Sequence, residues 1–427
     1  MAKIEACNNS DLAIHLDSIN SFIPGQTITG YVSQISRWVD TETSISIILH
    51  GRCNTALFCN DSSYCSSLEL FGKGGVQKEL FNGALHIRTL CSEEGKWFFT
   101  IDIPSHLDPS SLKSLPFGKA SYLSLLRTDQ LVLPPSFTLG ASATVSRRGS
   151  AVVEYYLEAT MVTPSPAKSA IARLPVQIQC ESSPFPITDF DIVLHSRQCY
   201  NVTSPYLVSG MENTKIPMRQ KIACVLGFPT APRLTFRLEI CIASVVQKGS
   251  PYHIPIKLRA IPQWIDTSQC VANAPQIIDI TEFTLAVRST SSFIAYTTDA
   301  VAAVTIVHED HSINRIVLAD HKKFKTTNQI NYQVLPSESC LIRDHPSYHS
   351  PLALPIGDNV TPLDIGQILD LKLRHEQFPL DEIPTFITHN IKRTYEFEWK
   401  MSLEVGGKMV RVNGRHPVLI MEKSAQN

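Results

Sequence analysis

A small set of cysteines has side chains that could bind a metal ion. Cys59 and Cys65 bracket a short polar segment, with Cys53 before them and Cys91 after them. Structural zinc sites use four thiolate or imidazole ligands, usually in close pairs, and this spacing is too wide for such an arrangement. The cysteines therefore predict no metal site.

Two histidines three residues apart, His308 and His311, could share a metal ion if they lay on one helix. The apolar segments around them, 302–307 and 313–318, have the pattern of strands instead, so we interpret 308–311 as a polar hairpin turn. The sequence contains neither a Gly-x-Ser-x-Gly elbow nor a Walker-type phosphate loop. We predict no enzyme and no cofactor, although a cysteine–histidine pair brought together only by the fold has no sequence signature.

Ser150 follows two arginines, Arg147 and Arg148, and one glycine, Gly149. This arrangement is typical of a basophilic kinase site. A phosphate would add about −1.5 to −2 charges at what we predict to be a hairpin tip. We therefore predict Ser150 as a phosphorylation site that tunes partner binding, with an unmodified glycine-containing turn as the alternative.

The composition limits the classes of protein that fit. The 427 residues carry a formal net charge of −1, whereas nucleic-acid binders usually have a basic excess, so no nucleic-acid partner is predicted. Hydrophobic residues make up 43% of the chain, but no run of about 18 consecutive apolar residues occurs, which predicts no transmembrane segment. The odd count of 11 cysteines and the lack of a signal-peptide core predict reduced thiols and a cytoplasmic location.

Apolar and polar residues alternate along most of the chain, as they do in half-buried strands. In the clearest run, 395–405, apolar side chains point to one face and polar ones to the other. The same alternation occurs over 45–49, 97–103, 153–161 and 234–242. Strands with one apolar face form antiparallel sheets that pack face to face, so the sequence predicts an all-β sandwich fold.

Glycines and prolines separate these segments. Turns are predicted at Pro24–Gly25, Gly72–Gly75, Arg148–Gly149, Gly249–Pro251 and Gly406–Gly407. A short helix is predicted within 105–114, and 363–374 fits either a helix or a strand.

The chain length fits two domains of roughly 100–200 residues each. A proline-rich loop, a strand over 171–179 and a second proline-containing stretch place the boundary near Glu181. We therefore predict two tandem domains, residues 1–180 and 181–427.

The order and spacing of these segments resemble those of fungal arrestin-like proteins of the alpha-arrestin type. Residues 18–30 and 45–51 are similar to the opening strands of the arrestin N-domain. Residues 234–259 look like the C-domain, and 393–404 resembles its closing strands. The resemblance extends from about Leu12 to Ile420.

The resemblance implies two tandem arrestin-like, immunoglobulin-like β-sandwich domains and the role of a cytosolic adaptor. Fungal members link membrane transporters or receptors to a ubiquitin ligase, so that the cargo is endocytosed. An adaptor of this kind is recruited to the plasma membrane or to endosomes. Contact with a WW-domain ubiquitin ligase usually runs through a Pro-Pro-x-Tyr motif in an extended proline conformation.

This sequence departs from the family at that motif. The segment 134–137 reads Pro-Pro-Ser-Phe, with phenylalanine in place of tyrosine. Pro346, Ser347 and Tyr348 keep the tyrosine but have only one proline. These three residues are therefore either a degenerate ligase contact or part of a plain loop.

Two alternative functions fit the sequence. One is an arrestin-fold subunit of an endosomal sorting coat that acts without a ubiquitin ligase. The other is a β-sandwich hydrolase acting on glycans, which would need two carboxylates about 5–10 Å apart in a cleft with aromatic side chains nearby. The chain has only 4 tryptophans and no secretory signal, which argues against the hydrolase.

Overall fold

A computed structural model describes most of the chain. The described residues are 12–18, 21–34, 38–59, 62–87, 95–113, 121–123, 131–144, 147–164, 169–211, 214–228, 230–272, 276–297, 303–308, 315–322, 361–374 and 383–423. Strands make up most of them, and the pairings between strands are nearly all antiparallel, which confirms the all-β prediction. Among these residues, no helix is both long and apolar enough to cross a membrane.

Ten strands and one helix lie in the first part of the chain. They are β1 (Leu12–Leu16), β2 (Ser21–Phe22), β3 (Thr27–Gln34), β4 (Trp38–Cys59), β5 (Ser62–Glu69), β6 (Val76–Ile87), β7 (Lys96–Asp102), α1 (Pro109–Lys113), β8 (Phe137–Thr144), β9 (Arg147–Val162) and β10 (Ala170–Ile178). Helix α1 lies inside the segment for which a short helix was predicted, so that prediction is confirmed.

Eleven strands and three α-helices follow, with single 3-10 turns at Pro205–Leu207 and Trp264–Asp266. They are β11 (Ile192–Thr203), α2 (Met218–Val225), β12 (Arg233–Ala243), β13 (Val245–Gln247), β14 (Ile256–Pro262), α3 (Gln269–Ala272), β15 (Ile278–Thr297), β16 (Ala303–His308), β17 (Arg315–Lys322), β18 (Leu363–Asp364), α4 (Ile365–Ile368), β19 (Phe386–Ile387), β20 (Ile391–Val405) and β21 (Lys408–Met421).

The chain divides into two compact units. Unit 1 consists of residues 1–181, 290–310 and 383–394, and unit 2 of residues 182–289, 311–382 and 395–427. The units are therefore not two consecutive halves of the sequence. Two long strands, β15 and β20, each contribute residues to both units.

Unit 1 contains two sheets that share one apolar core. The smaller sheet has the order β1-β3-β7. The larger sheet is built on β4 and β9, which pair antiparallel from Ser44↔Val162 to Cys59↔Arg147. On their outer sides, β4 pairs with β5 and β6, and β9 pairs with β8 and β10.

The core of unit 1 follows from the predicted alternation. Ile45, Ile47 and Leu49 on β4 are fully buried, and so are Leu157 and Ala159 on β9. Burial of an apolar side chain of this size stabilises the fold by roughly 1.5–3 kcal/mol, so a few such rows of side chains are enough to hold two sheets together.

Unit 2 also contains two sheets around one core. One sheet has the order β11-β12-β14-β18, and the other contains β13, β21, β20 and the first part of β15, with β17 beside β15. The alternating run 395–405 forms most of β20, and its apolar side chains are all buried. Gly406 and Gly407 have positive φ angles of 52° and 72° and form the tight turn between β20 and β21, as predicted.

One predicted turn is wrong. Gly149 does not lie in a hairpin turn but inside β9, where it pairs with Leu57 on β4 and with Ala141 on β8. A Cβ atom at Gly149 would lie 2.5 Å from the ring of Phe293. The glycine is therefore required by close packing in the sheet, not by a turn.

Of the predicted polar hairpin turn at 308–311, only His308 lies within the described residues. In unit 1, β16 ends at His308 and pairs with 291–296 of β15. In unit 2, β17 pairs with 282–288 of β15. Among the described residues, β16 and β17 do not pair with each other, and His311 lies outside those residues. The ambiguous segment 363–374 forms β18 and α4, followed by a non-helical stretch with buried leucines at 371 and 373.

Candidate functional site

Strand β11 forms an open edge of unit 2. It is twelve residues long and pairs antiparallel with β12 on one side, from Ile192↔Ala243 to Thr203↔Arg233. On its other side it has no strand partner in the part of the chain that the structure describes. Most of its side chains are exposed or half-buried. An edge strand with accessible backbone groups can accept a further strand from another chain.

A β-bulge interrupts the edge near its start. The register with β12 shifts between Leu194 and Ser196, so His195 has no opposite residue. Bulges bend a strand and re-aim a side chain. The regular part of the edge is therefore Ser196–Thr203, which is eight residues long.

Three arginines on this sheet surround one carboxylate. Glu239 on β12 is only 4% exposed. Arg259 on β14 donates from Nε to Oε2 of Glu239 at 2.7 Å, and its Nη2 lies 2.7 Å from the same oxygen. Arg237 Nη2 lies 3.2 Å from Oε1 of Glu239, and Arg197 Nε on β11 lies 3.6 Å from the same Oε1. Charge-assisted bonds of this kind hold the guanidinium groups in place.

The cluster of Arg197, Arg237, Arg259 and Glu239 has an excess of positive charge, because three guanidinium groups share one carboxylate. Arg197 is the most exposed of the four, and it belongs to the open edge itself. The Nε atom of Arg237 is buried and has no hydrogen-bond partner among the described residues. The arrangement can attract an acidic group that approaches β11.

The bulge places His195 against a second histidine. Its Nδ1 lies 3.3 Å from Nδ1 of His416 on β21, and the ring of His195 meets the ring of Trp399 edge-on. His416 also forms a hydrogen bond of 3.1 Å between its Nε2 and the hydroxyl of Ser244. Burial lowers the pKa of both histidines, and the neighbouring His195 lowers the pKa of His416 further.

Unit 1 contains a different histidine cluster. His389 is only 1% exposed, and its Nε2 lies 3.0 Å from the hydroxyl of Tyr296. Its Nδ1 lies 2.8 Å from the hydroxyl of Ser121. The next residue, Asn390, donates from Nδ2 to the carbonyl of Cys53 at 3.3 Å. A serine beside a histidine is a requirement of hydrolase triads, but here the third group is a tyrosine hydroxyl rather than a carboxylate.

A carboxylate pair also lies on unit 1. Arg52 on β4 is opposite Glu69 on β5 and opposite Glu154 on β9. Arg52 donates from Nε to Oε1 of Glu154 at 2.6 Å. Burial raises the pKa of Glu69, while Arg52 opposes that change. Because an arginine stands between the two acids and binds one of them, the row is a cross-strand charge ladder that stabilises the sheet.

Of the predicted site residues, the structure describes only Ser150. Ser150 lies within β9, half-buried and paired with both Ala56 and Gly140. Pro346, Ser347 and Tyr348 lie outside the described residues. The segment 134–137, by contrast, is described and mostly buried.

The Pro-Pro-Ser-Phe segment is part of the unit 1 core. The hydroxyl of Tyr155 donates to the carbonyl of Pro134 at 2.6 Å, and Phe137 packs edge-on against Phe386. Phe137 is 5% exposed and begins β8. The phenylalanine that replaces the motif's tyrosine therefore serves packing.

The alternation over 234–242 puts Arg237 and Glu239 on the polar face of one strand, but it does not reveal the cluster that they form. Their partners Arg197 and Arg259 lie on other strands, and the pairing that brings them together has no local signal. A polar, charged face on a strand that is buried on its other face was the only indication available.

Comparison with protein-family models finds no match for this chain, and comparison with curated proteins finds none either.

Proposed function

We propose that the chain is an arrestin-like adaptor that binds an extended acidic segment of a membrane protein as an added strand on β11. In this proposal the two units are arrestin-like, immunoglobulin-like sandwiches, and the chain is not an enzyme. The observation that carries the proposal is the open edge of β11 beside three arginines that share one carboxylate.

Strand addition uses groups that any extended peptide has. A peptide that pairs with an edge strand forms main-chain hydrogen bonds, and the side chains beside the edge select its sequence. The regular stretch 196–203 is long enough for a segment of about six to eight residues. Arg197 belongs to this stretch, so acidic side chains on the added strand gain an ionic contact and basic ones are repelled.

A synthetic peptide of eight residues that alternates Glu and Val tests the proposal. We expect it to bind the full chain and to slow hydrogen exchange in β11. The Arg197→Glu variant should weaken binding at least tenfold, which corresponds to about 1.4 kcal/mol. Arg411→Glu is the matched control, because Arg411 is an exposed arginine on β21 of the same unit.

Two further peptides separate strand addition from simple charge attraction. A peptide with N-methyl groups at alternate amides keeps its charge but loses the main-chain donors, so it should not bind. A peptide that alternates Lys and Val should bind more weakly than the acidic one. Equal binding of the acidic and basic peptides, or protection of a different strand, would contradict the proposal.

The link to a ubiquitin ligase is a separate part of the proposed function. It requires Pro346, Ser347 and Tyr348 to contact a WW domain. Affinity purification with mass spectrometry, comparing the natural chain with Tyr348→Ala, should recover a WW-domain ligase only with the natural chain. Recovery of coat subunits with both chains and of a ligase with neither would favour the endosomal sorting coat instead.

A further inference from the structure

Helix α2 of unit 2 exposes apolar side chains on its outer face. Met218, Ile222, Val225 and Leu226 follow the spacing i, i+4, i+7, i+8, which places them on one face of a helix and its last turn. Met218 is 73% exposed, Val225 78% and Leu226 64%. Phe228, two residues later, is also exposed. A helix normally turns such a face toward the core.

The opposite face of the helix holds it to unit 2. Cys224 is buried, and Gln220, Ala223 and Cys224 line a half-open cavity of about 400 Å³. Ile216, just before the helix, is buried as well. The inner face is therefore already used for packing, and the apolar outer face contributes nothing to the core of unit 2.

Positive charges border this apolar face on both sides. At 3.6 residues per turn, Arg219 projects from one side of the apolar face and Lys221 from the other. Lys215 is exposed just ahead of the helix. The described stretch 214–228 contains no acidic residue. Long basic side chains beside an apolar face can lay their stems along it while their charges point to water or to an anionic headgroup.

We propose that α2 docks unit 2 on an anionic lipid bilayer, with Met218, Ile222, Val225 and Leu226 inserted at the boundary between headgroups and acyl chains. Arg219 and Lys221 then contact lipid phosphate or carboxylate groups. A helix with this composition lies in the plane of the interface rather than across the membrane. The exposed apolar face by itself fits other partners. Cations on both sides of it, with no acidic residue in the described stretch 214–228, match a continuous negative surface.

Vesicle co-sedimentation with the full chain tests the docking. We expect binding to vesicles of seven parts phosphatidylcholine and three parts phosphatidylserine, and at least tenfold weaker binding to phosphatidylcholine alone. The double variant Met218→Ser with Val225→Ser should lower binding to the anionic vesicles at least tenfold. Arg219→Glu with Lys221→Glu should abolish the preference for the anionic vesicles.

Matched controls use other exposed residues of unit 2. Ile265 is 100% exposed, so Ile265→Ser removes an apolar side chain of similar size elsewhere. Lys408→Glu with Arg411→Glu reverses two exposed charges on β21. Both controls should bind anionic vesicles like the natural chain. Since all of these residues are exposed, the variants should keep the natural circular dichroism spectrum and melting curve.

Several outcomes would overturn the proposal. The first is a natural chain that fails to bind anionic vesicles, and the second is an α2 variant that binds as well as the controls. The third is dimer formation by the natural chain without vesicle binding. If light scattering showed such dimers and Met218→Ser with Val225→Ser dissociated them, the face would be a self-association surface. The test does not involve β11, so its result is independent of the peptide experiment.

Discussion

His389 in unit 1 and His416 in unit 2 are both buried histidines with a serine hydroxyl at one ring nitrogen. Ser121 lies 2.8 Å from Nδ1 of His389, and Ser244 lies 3.1 Å from Nε2 of His416. The two side chains are 1% and 6% exposed. In this respect the two clusters are alike, because each gives a buried imidazole a hydrogen bond.

The two clusters differ at the other ring nitrogen of the histidine. In His389 this nitrogen contacts the hydroxyl of Tyr296. Burial raises the pKa of this tyrosine, so the hydroxyl stays neutral. In His416 the other ring nitrogen contacts His195, whose own charge changes as the pH falls. The partner of His389 at this nitrogen is therefore a neutral hydroxyl, whereas the partner of His416 is a second imidazole that can become charged.

The largest effect is expected from His389→Ala. The substitution leaves a cavity in unit 1 and removes a hydrogen-bond partner from Tyr296 and from Ser121, which should lower the stability of unit 1 by about 2–4 kcal/mol. Hydrogen exchange resolved by peptide measures this for each unit, because a single melting temperature is not well defined for two units. We expect faster exchange in β4 and β9 and little change in β12. An equal loss of protection in both units would mean that the cluster is not specific to unit 1.

The second largest effect is expected from Gly414→Ala in unit 2. A Cβ atom at Gly414 would lie 2.5 Å from the ring of Trp399 and 3.1 Å from Nε2 of His195. Overpacking of this kind typically costs about 1–3 kcal/mol. Exchange in β20 and β21 should accelerate, and the hydrogen bond between His195 and His416 should be lost. Gly140→Ala is the control, because a Cβ atom at Gly140 has no neighbour within 4 Å. If Gly414→Ala were as stable as this control, the rings of Trp399 and His195 could move away from the added methyl group without a loss of stability.

The sequence predicted which face of a strand is buried far better than which strands are neighbours. Alternation over 395–405 and 234–242 correctly assigned the buried sides of β20 and β12. Ser121 and His389, however, are 268 residues apart, and the contact between His195 and His416 depends on a bulge. Strand pairing and register arise from the whole sheet, so a local pattern with a period of two residues carries no information about them.

A smaller effect is expected from removal of the serine hydroxyls. Ser121→Ala and Ser244→Ala each delete one hydrogen bond to a buried histidine, which should cost about 0.5–1.5 kcal/mol in the respective unit. Each variant should accelerate exchange only in its own unit. If Ser244→Ala proved neutral while Ser121→Ala did not, His416 would depend on His195 alone for its orientation.

The smallest effect is the response of unit 2 to mild acid, which tests the imidazole partner of His416. Burial lowers the pKa of His195 and of His416 below the ordinary value of 6.5, His195 lowers that of His416 further, and Asp191 opposes this. The unfolded chain therefore binds protons at a higher pH than the folded unit does. Stability from the pair is present above pH 6.5 and declines as the pH falls from there toward the lowered folded values.

Hydrogen exchange of β20 and β21, corrected for the intrinsic pH dependence of amide exchange, should show this decline between about pH 7 and about pH 5. His195→Gln should make the profile flatter, because glutamine can keep a hydrogen bond to His416 but cannot become charged. Protection in β21 that stays constant over this range, or that declines equally in His195→Gln, would mean that the imidazole partner of His416 has no effect of its own on the pH dependence of unit 2. The pair in unit 2 would then contribute to stability without a response to pH.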